Sequence, residues 1–447
     1  QGDQEKMIRT WCKERAKTDI TNLPIRFRWY QARYVAFVRS IFPKGDCSNE
    51  LGEDDPRDVL ILEEPEHLCW YHHGQRWPAL FNHVIGIVHT NYQDYMAGSR
   101  TNVPDEIKEA SVFAASTMVC SAYCDVNIKL SDTIMPLPNE VTCNVHGVRD
   151  EFLQIGDSEL RVATSGEPVE AGSVYYLGKA LYEKGWGELM DLLEAAGDQL
   201  QGIRIDGYGS GADSEGITLR GQKLDERGAA FTMHPGIDHA NKVIHPYGVL
   251  VNPSTSDVLC TVTVEALAMG KRCVLARHPS NRFFEENFPN RCFFFRAGDT
   301  ASFVEALRQA VAQGPPQALP PESRCILTWE AATERLFSSA EVRVLSGSSQ
   351  RPSEAAVSRL AYRLHYDIQQ DTPMLASLIR EATLGEETPW DQYFSEWRKT
   401  QLNQLQERAD QFRDSIQRPP EHIQEHEQYL RSKLEDLAAL FQPAKRL

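Results

Sequence analysis

Asp257 and Glu265 are the two residues whose types and spacing most invite chemistry. They lie eight positions apart in the stretch Gly248–Ala276, GVLVNPSTSDVLCTVTVEALAMGKRCVLA. Asp257 falls in a loop of small polar residues, Pro253–Leu259, and Glu265 falls one turn into an expected helix, Val262–Met269. Thr261 and Thr263 lie between them, beside the backbone amides that a helix start leaves unpaired. Carboxylates accept hydrogen bonds from sugar hydroxyls, and a helix start favours anions. A nucleotide sugar needs both: acids for ribose and hexose hydroxyls, amides for the diphosphate. The alternative for so short a motif is one acid that ends a turn and another that faces solvent.

These side chains need a frame. Val249–Val251 reads as a buried strand and Arg272–Ala276 as the next one. Gly270 stands where a left-handed residue stops the helix between them. Strand, loop, helix, strand is one unit of a parallel α/β sheet, whose ligands sit beyond the carboxyl ends of the strands. Upstream, Ser173–Leu177 reads as a strand followed by Lys179 and Lys184 and then an amphipathic helix, Trp186–Ala196. Two lysines at such a turn suit a diphosphate, or are simply surface lysines. Ile203–Tyr208 is a further strand, closed by the turn Gly209-Ser210-Gly211.

The first part of the chain repeats the pattern. Asp58–Glu63 is a strand that delivers Glu63, Glu64, Glu66 and His67 to its end, and Val84–Val88 is another, ending on His89. Glu106–Cys124 reads as a helix with Cys120 and Cys124 in the core, and Asn127–Ser131 as a strand. Met7–Lys17 is a short helix. His72 and His73 lack a partner at metal spacing and pack or face water. Residues 155–172, rich in Gly, Glu and Ser, read as a linker. Trp329–Phe337 reads as a closing helix.

Composition bounds the function. The chain has 447 residues, 41% hydrophobic and 25% charged, with room for two or three domains. A net charge of −16 argues against general nucleic-acid binding. No apolar run approaches the ~20 residues of a membrane span. Ten cysteines without a C-x2-C pair indicate neither zinc nor a disulfide framework and suit a reducing compartment. Against this acidic background Arg26–Lys44, RFRWYQARYVAFVRSIFPK, carries five basic residues, six aromatics and no acid. It is either a peripheral contact with an anionic membrane or a strand and loop of the first domain. The chain opens on Gln, with no signal or transit peptide visible, so its start is expected to have been removed or to lie further upstream.

The D-x7-E stretch resembles the E-x7-E signature of retaining GT-B glycosyltransferases of the glycosyltransferase family 4 kind. SDVLCTVTVEALAMGK, ARHPSNRFF, LEEPEHLCWYHHGQRW and NHVIGIVHTNYQDY are similar to the digalactosyldiacylglycerol synthases, plastid galactolipid enzymes. The resemblance covers about residues 5–340. It implies an α/β GT-B fold, two Rossmann-like domains with parallel sheets facing a cleft. The expected domains are 1–155 on the acceptor side and 173–343 on the nucleotide-sugar side, with a helical region at 353–447. The family's first strand and Gly-rich loop are expected to lie ahead of this sequence's start.

The resemblance also implies roles. UDP-galactose is the expected donor and monogalactosyldiacylglycerol the acceptor, with retention of configuration and no metal. His89, Lys184, Asp257 and Glu265 would be catalytic. Lys179 stands where the family usually has Arg; with Gly209, Gly211, His239, Thr261 and Thr263 it would bind the donor. The segment Phe231–His239 is taken as the loop after the next strand, on the nucleotide side. Glu63, Glu64 and His67 would lie on the acceptor side. A peripheral place on the chloroplast outer envelope follows from the same likeness. The alternatives are a hexosyltransferase for another lipid or a soluble acceptor, and an inactive scaffold that binds partners. After the polar stretch near 345–353, Ala355–Asp367, Met374–Thr383, Trp390–Ile416 and His422–Phe441 read as amphipathic helices that pack on the core or hold a partner.

Overall fold

In the computed structural model, residues 2–371 are described apart from 15–17, 36–39, 44–45, 71, 73, 94–104, 166–173, 227–230, 314–316 and 346–351. The helices expected beyond residue 371 lie outside the described residues. A helix, Gly2–Glu14, leads to an antiparallel hairpin of β1 (Ala32–Val35) and β2 (Ser40–Pro43). Then comes a parallel sheet of β3 (Val59–Glu63), β4 (His83–Val88), β5 (Val126–Lys129) and β6 (Glu140–Thr142), in that spatial order. A second parallel sheet holds β7 (Val174–Leu177), β8 (Ile205–Tyr208), β9 (Phe231–His234), β10 (Val249–Asn252), β11 (Arg272–Ala276) and β12 (Cys292–Phe295). Its order is β12-β11-β10-β7-β8-β9. This is the two-sheet α/β architecture that the sequence implies.

Helices cover both faces of the second sheet, so its central strands are buried throughout. Every residue of β10 and β11 is buried. Val174 and Tyr176 pack on one face while Tyr175 packs on the other, as period-two alternation requires. Fully burying each Val, Leu or Phe here contributes ~1.5–3 kcal/mol.

Several boundaries differ from the sequence reading: the first helix runs Gly2–Glu14 rather than Met7–Lys17, and three further differences bear on packing. The stretch expected as a linker from residue 155 is largely a helix, Asp150–Ser165. Its Phe152, Leu153 and Ile155 join the core of the second sheet, so that core begins ahead of residue 155. The small and acidic residues that hid its period serve close packing: a Cβ on Gly156 would lie 2.4 Å from the Ala268 carbonyl oxygen. Phe231–His234 is itself strand β9, not the loop after it. Only Phe231 of this edge strand is buried, and its otherwise polar sequence concealed it. The helix from Trp329 continues to Leu345.

That helix returns to the first sheet, where Leu336 and Ala340 pack against Ile85, Ile87, Val126 and Ile128. The two chain crossings bind each other. The Val148 amide donates to the Leu327 carbonyl at 2.9 Å, and Arg335 Nε to the Asn144 carbonyl at 2.7 Å. The next helix, Pro352–Asp371, packs on the Asp105–Tyr123 helix of the first domain. There buried His365 lies 3.0 Å from the Tyr123 hydroxyl and 2.9 Å from the Trp70 carbonyl. In the basic segment, Arg28 grips Asp55 with two bonds of 3.0 and 2.8 Å, and Arg26 approaches the same carboxylate at 3.4 Å. Two of the five cations are thus already paired within the fold.

Candidate active site

Outward from β7 and β10 the second sheet runs in opposite directions, so its topological switch point lies between these two strands. A crevice opens beyond the carboxyl ends of the strands at such a point. The turn after β7 carries Lys184 and the loop after β10 carries Asp257; their Nζ and Oδ1 atoms are 3.8 Å apart. Two further contacts fix the pair. Ser256 Oγ donates to the Glu183 carbonyl at 2.7 Å, and the buried Tyr176 hydroxyl donates to the Lys184 carbonyl. The side chains of Lys184 and Asp257 are 26% and 21% exposed, open enough to meet a ligand. A pair this open is worth ~0–1 kcal/mol, so a ligand can rearrange it. Lys179 is exposed on the same turn, and its carbonyl accepts Trp186 Nε1 at 2.8 Å.

The helix that follows, Thr261–Ala268, has Cys260 at its N-cap with no side-chain cap bond, and Thr261 at its exposed start. Glu265, one turn in, is held from behind. Its Oε2 lies 2.8 Å from His239 Nδ1, and His239 Nε2 lies 2.7 Å from the Tyr175 hydroxyl. Burial pushes the His239 imidazole below its usual pKa, against the opposing pull of Glu265, so the ring is neutral near pH 7. A carboxylate only accepts, so the single ring N–H sits on Nδ1 and points at Glu265. Nε2 then accepts from the Tyr175 O–H. His239 is therefore buried behind Glu265, between it and Tyr175. Thr263 is fully buried, so its hydroxyl does not face the crevice.

Gly209 and Gly211 also differ from a phosphate cradle. A Cβ on Gly209 would lie 2.4 Å from the Gly178 carbonyl oxygen, and one on Gly211 2.5 Å from that of Ala180. Their amides are engaged: Gly209 N donates to the His234 carbonyl at 3.1 Å and Gly211 N to Ser214 Oγ at 2.9 Å. Glycine is required here because the turns after β7 and β8 touch.

The first domain presents a second cluster where β3 and β4 end. His89 Nε2 lies 3.4 Å from Glu63, and Nδ1 lies 3.3 Å from Glu64. The Glu63 carboxylate, hydrogen-bonded to the ring, lifts the His89 imidazole above its usual pKa. Glu64 also accepts from Tyr92 at 2.8 Å and from Thr90. These bonds fix its carboxylate, while its backbone sits in the left-handed region at φ 51°. Behind it, burial drives Glu66 up to about 8 and His67 down to about 4, so both are neutral at pH 7. His67 packs on the Tyr92 ring at 3.9 Å between centroids. Glu63 and His89 are the open members, with side chains 66% and 39% exposed.

The structure thus joins Lys184 to Asp257, Glu265 to His239, and Glu63 and Glu64 to His89. Tyr175, Thr90 and Tyr92 are contributors that sequence reasoning missed. Tyr175 was hidden in an apolar strand run, SVYYL, where an aromatic reads as core. Thr90 and Tyr92 stand beside His89 in the chain, and that adjacency was the available signal.

No family model matches the chain. Curated proteins do. It is 40% identical over 355 residues to digalactosyldiacylglycerol synthase 2, chloroplastic, of Arabidopsis thaliana, spanning 79% of this chain and 72% of that protein. It is 39% identical to digalactosyldiacylglycerol synthase 1, chloroplastic, of Glycine max, over 80% of this chain and 44% of that longer protein. Among solved structures, a sucrose-phosphate synthase from Thermosynechococcus elongatus aligns with a TM-score of 0.45 at 18% identity, covering 65% of this chain and 74% of its own. A UDP-forming trehalose-phosphate synthase from Burkholderia xenovorans gives 0.46 at 10% identity, covering 66% and 76%. With 40% identity across most of both chains, this protein belongs to the digalactosyldiacylglycerol synthase family and is a galactosyltransferase.

Proposed function

We propose that the chain moves galactose from UDP-galactose to monogalactosyldiacylglycerol, with retention of configuration, and that the crevice at the β7/β10 switch point holds the donor. Glu265 takes the ribose hydroxyls. The uncapped start of the Thr261–Ala268 helix and Lys184, with Lys179, face the diphosphate and offset the charge that grows on departing UDP. Stabilisation of this kind is often the largest single contribution to catalysis. Asp257 takes a galactose hydroxyl, His89 lies over the sugar, and Glu63 and Glu64 receive the acceptor headgroup.

Retention by double displacement needs a carboxylate nucleophile beneath the anomeric carbon, and none is assigned here. In the proposed front-face route the C1–O bond to UDP breaks as the acceptor oxygen bonds to C1 on the same side. The acceptor proton passes to a phosphate oxygen of the donor. Lysines and helix amides carry the charge work, without a metal. The enzyme would act peripherally at the plastid outer envelope, with Arg26–Lys44 against the lipid. Flotation of a charge-reversed variant with anionic liposomes tests that contact, and unchanged binding would remove it.

The observation that carries the donor reading is the Lys184–Asp257 pair at the switch point, next to a helix start without a cap. The test is a UDP-galactose assay on galactolipid micelles, with the product identified by mass spectrometry. Digalactosyldiacylglycerol should form with the unaltered chain, and Glu265→Ala should abolish it. Transfer at the unaltered rate by purified Glu265→Ala would refute the assignment.

A further inference from the structure

We propose that Val258 is a positioning residue, an apolar knob of the donor domain seated in a socket of the acceptor domain. Its seating sets Asp257 against the strand end that carries His89. The inference rests on the donor-site reading above.

Val258 is only 7% exposed although it lies on a polar loop. Its buried neighbours all belong to the first domain: Val88, Cys120, Ile134 and Leu137, exposed by 2, 0, 3 and 7%. Val88 directly precedes His89, and Val258 directly follows Asp257. One apolar cluster therefore holds the residues flanking the two groups that must meet over the sugar. The polar contact nearby, Arg282 to Asp132 at 3.3 Å, has side chains 66% and 41% exposed and contributes little. Burial of an aliphatic side chain does not weaken with salt as an exposed ion pair does. The domains are also linked by the chain crossings around Val148 and Leu327 and by the Trp329–Leu345 helix on the first sheet.

The groups assigned to UDP, namely Lys179, Lys184, the Thr261–Ala268 helix start and Glu265, all lie in the second domain. Loss of the knob should therefore spare UDP binding and slow transfer, because misplacing reacting groups by about 1 Å costs up to about 100-fold.

Three variants test this. Val258→Thr keeps the shape and puts a hydroxyl into the socket. Ile134→Ala weakens the socket from the other domain. Val258→Ile keeps the apolar contact. UDP affinity is read by calorimetry, and kcat with UDP-galactose and monogalactosyldiacylglycerol. Val258→Thr and Ile134→Ala should each lower kcat about ten-fold or more while UDP affinity stays within about two-fold, and Val258→Ile should retain most of the rate. Combining the first two should cost little beyond the worse single variant, since both act through one contact. Unchanged kcat in Val258→Thr, or UDP affinity falling in step with kcat, would overturn the inference. Failure of the unaltered chain to bind UDP would instead remove the donor site itself, and the role of Val258 with it.

Discussion

Removing the imidazole behind Glu265 should weaken UDP binding by an amount that the hydrogen bonds predict. His239 Nδ1 meets Glu265 at 2.8 Å, and the ring is nearly enclosed. A buried hydrogen bond to a charged group is worth ~1.5–3 kcal/mol. Each ~1.4 kcal/mol is ten-fold in affinity, so His239→Ala should weaken UDP by about 10- to 100-fold. Tyr175→Phe removes the bond to Nε2, a neutral pair worth ~0.5–1.5 kcal/mol, and should cost about two- to ten-fold. Calorimetric titration of UDP reads both, with circular dichroism confirming the fold. In a Glu265→Ala background, His239→Ala should add almost nothing, because the two act as one unit. Equal losses with and without Glu265 would show that His239 acts some other way, and the relay would be abandoned.

Other expectations follow from the same geometry. Asp257→Asn removes the carboxylate charge facing Lys184, so UDP should bind as well or better while transfer falls; parallel losses in calorimetry and in the transfer assay would contradict this. Glu66, driven up to about 8 by burial, keeps its proton in the fold but loses it near its ordinary value when unfolded. Its contribution is therefore fully present below about pH 4.5 and is lost as pH rises toward 8, at up to ~1.4 kcal/mol per pH unit. Glu66→Gln should flatten that decline in Tm between pH 5 and 8; an unchanged slope would show that Glu66 is not its source. Gly147→Ala should lower stability by ~1–3 kcal/mol in a denaturant titration, because its Cβ would lie 2.6 Å from the Trp329 backbone, which cannot move aside like a side-chain tip.

The central unit was legible because its signals are local. Val249–Val251 and Cys273–Ala276 are continuous apolar runs, and Gly270 stops the helix between them at φ 79°. Strand order was not legible, because it is set by pairing between distant segments. Only the β7–β10 adjacency brings Lys184 to Asp257. The same limit hid Tyr175 behind His239 and the first-domain neighbours of Val258. Local spacing likewise did not show that Gly209 and Gly211 sit where two loops touch, or that Thr263 is buried.

The rate of galactose transfer by Lys184→Ala, relative to the unaltered chain, tests the donor crevice most directly. If Lys184 offsets the charge on departing UDP, its removal should lower kcat by about 100-fold or more, with melting behaviour unchanged. A Lys184→Ala protein that transfers galactose at the unaltered rate would place the leaving group elsewhere and contradict the account.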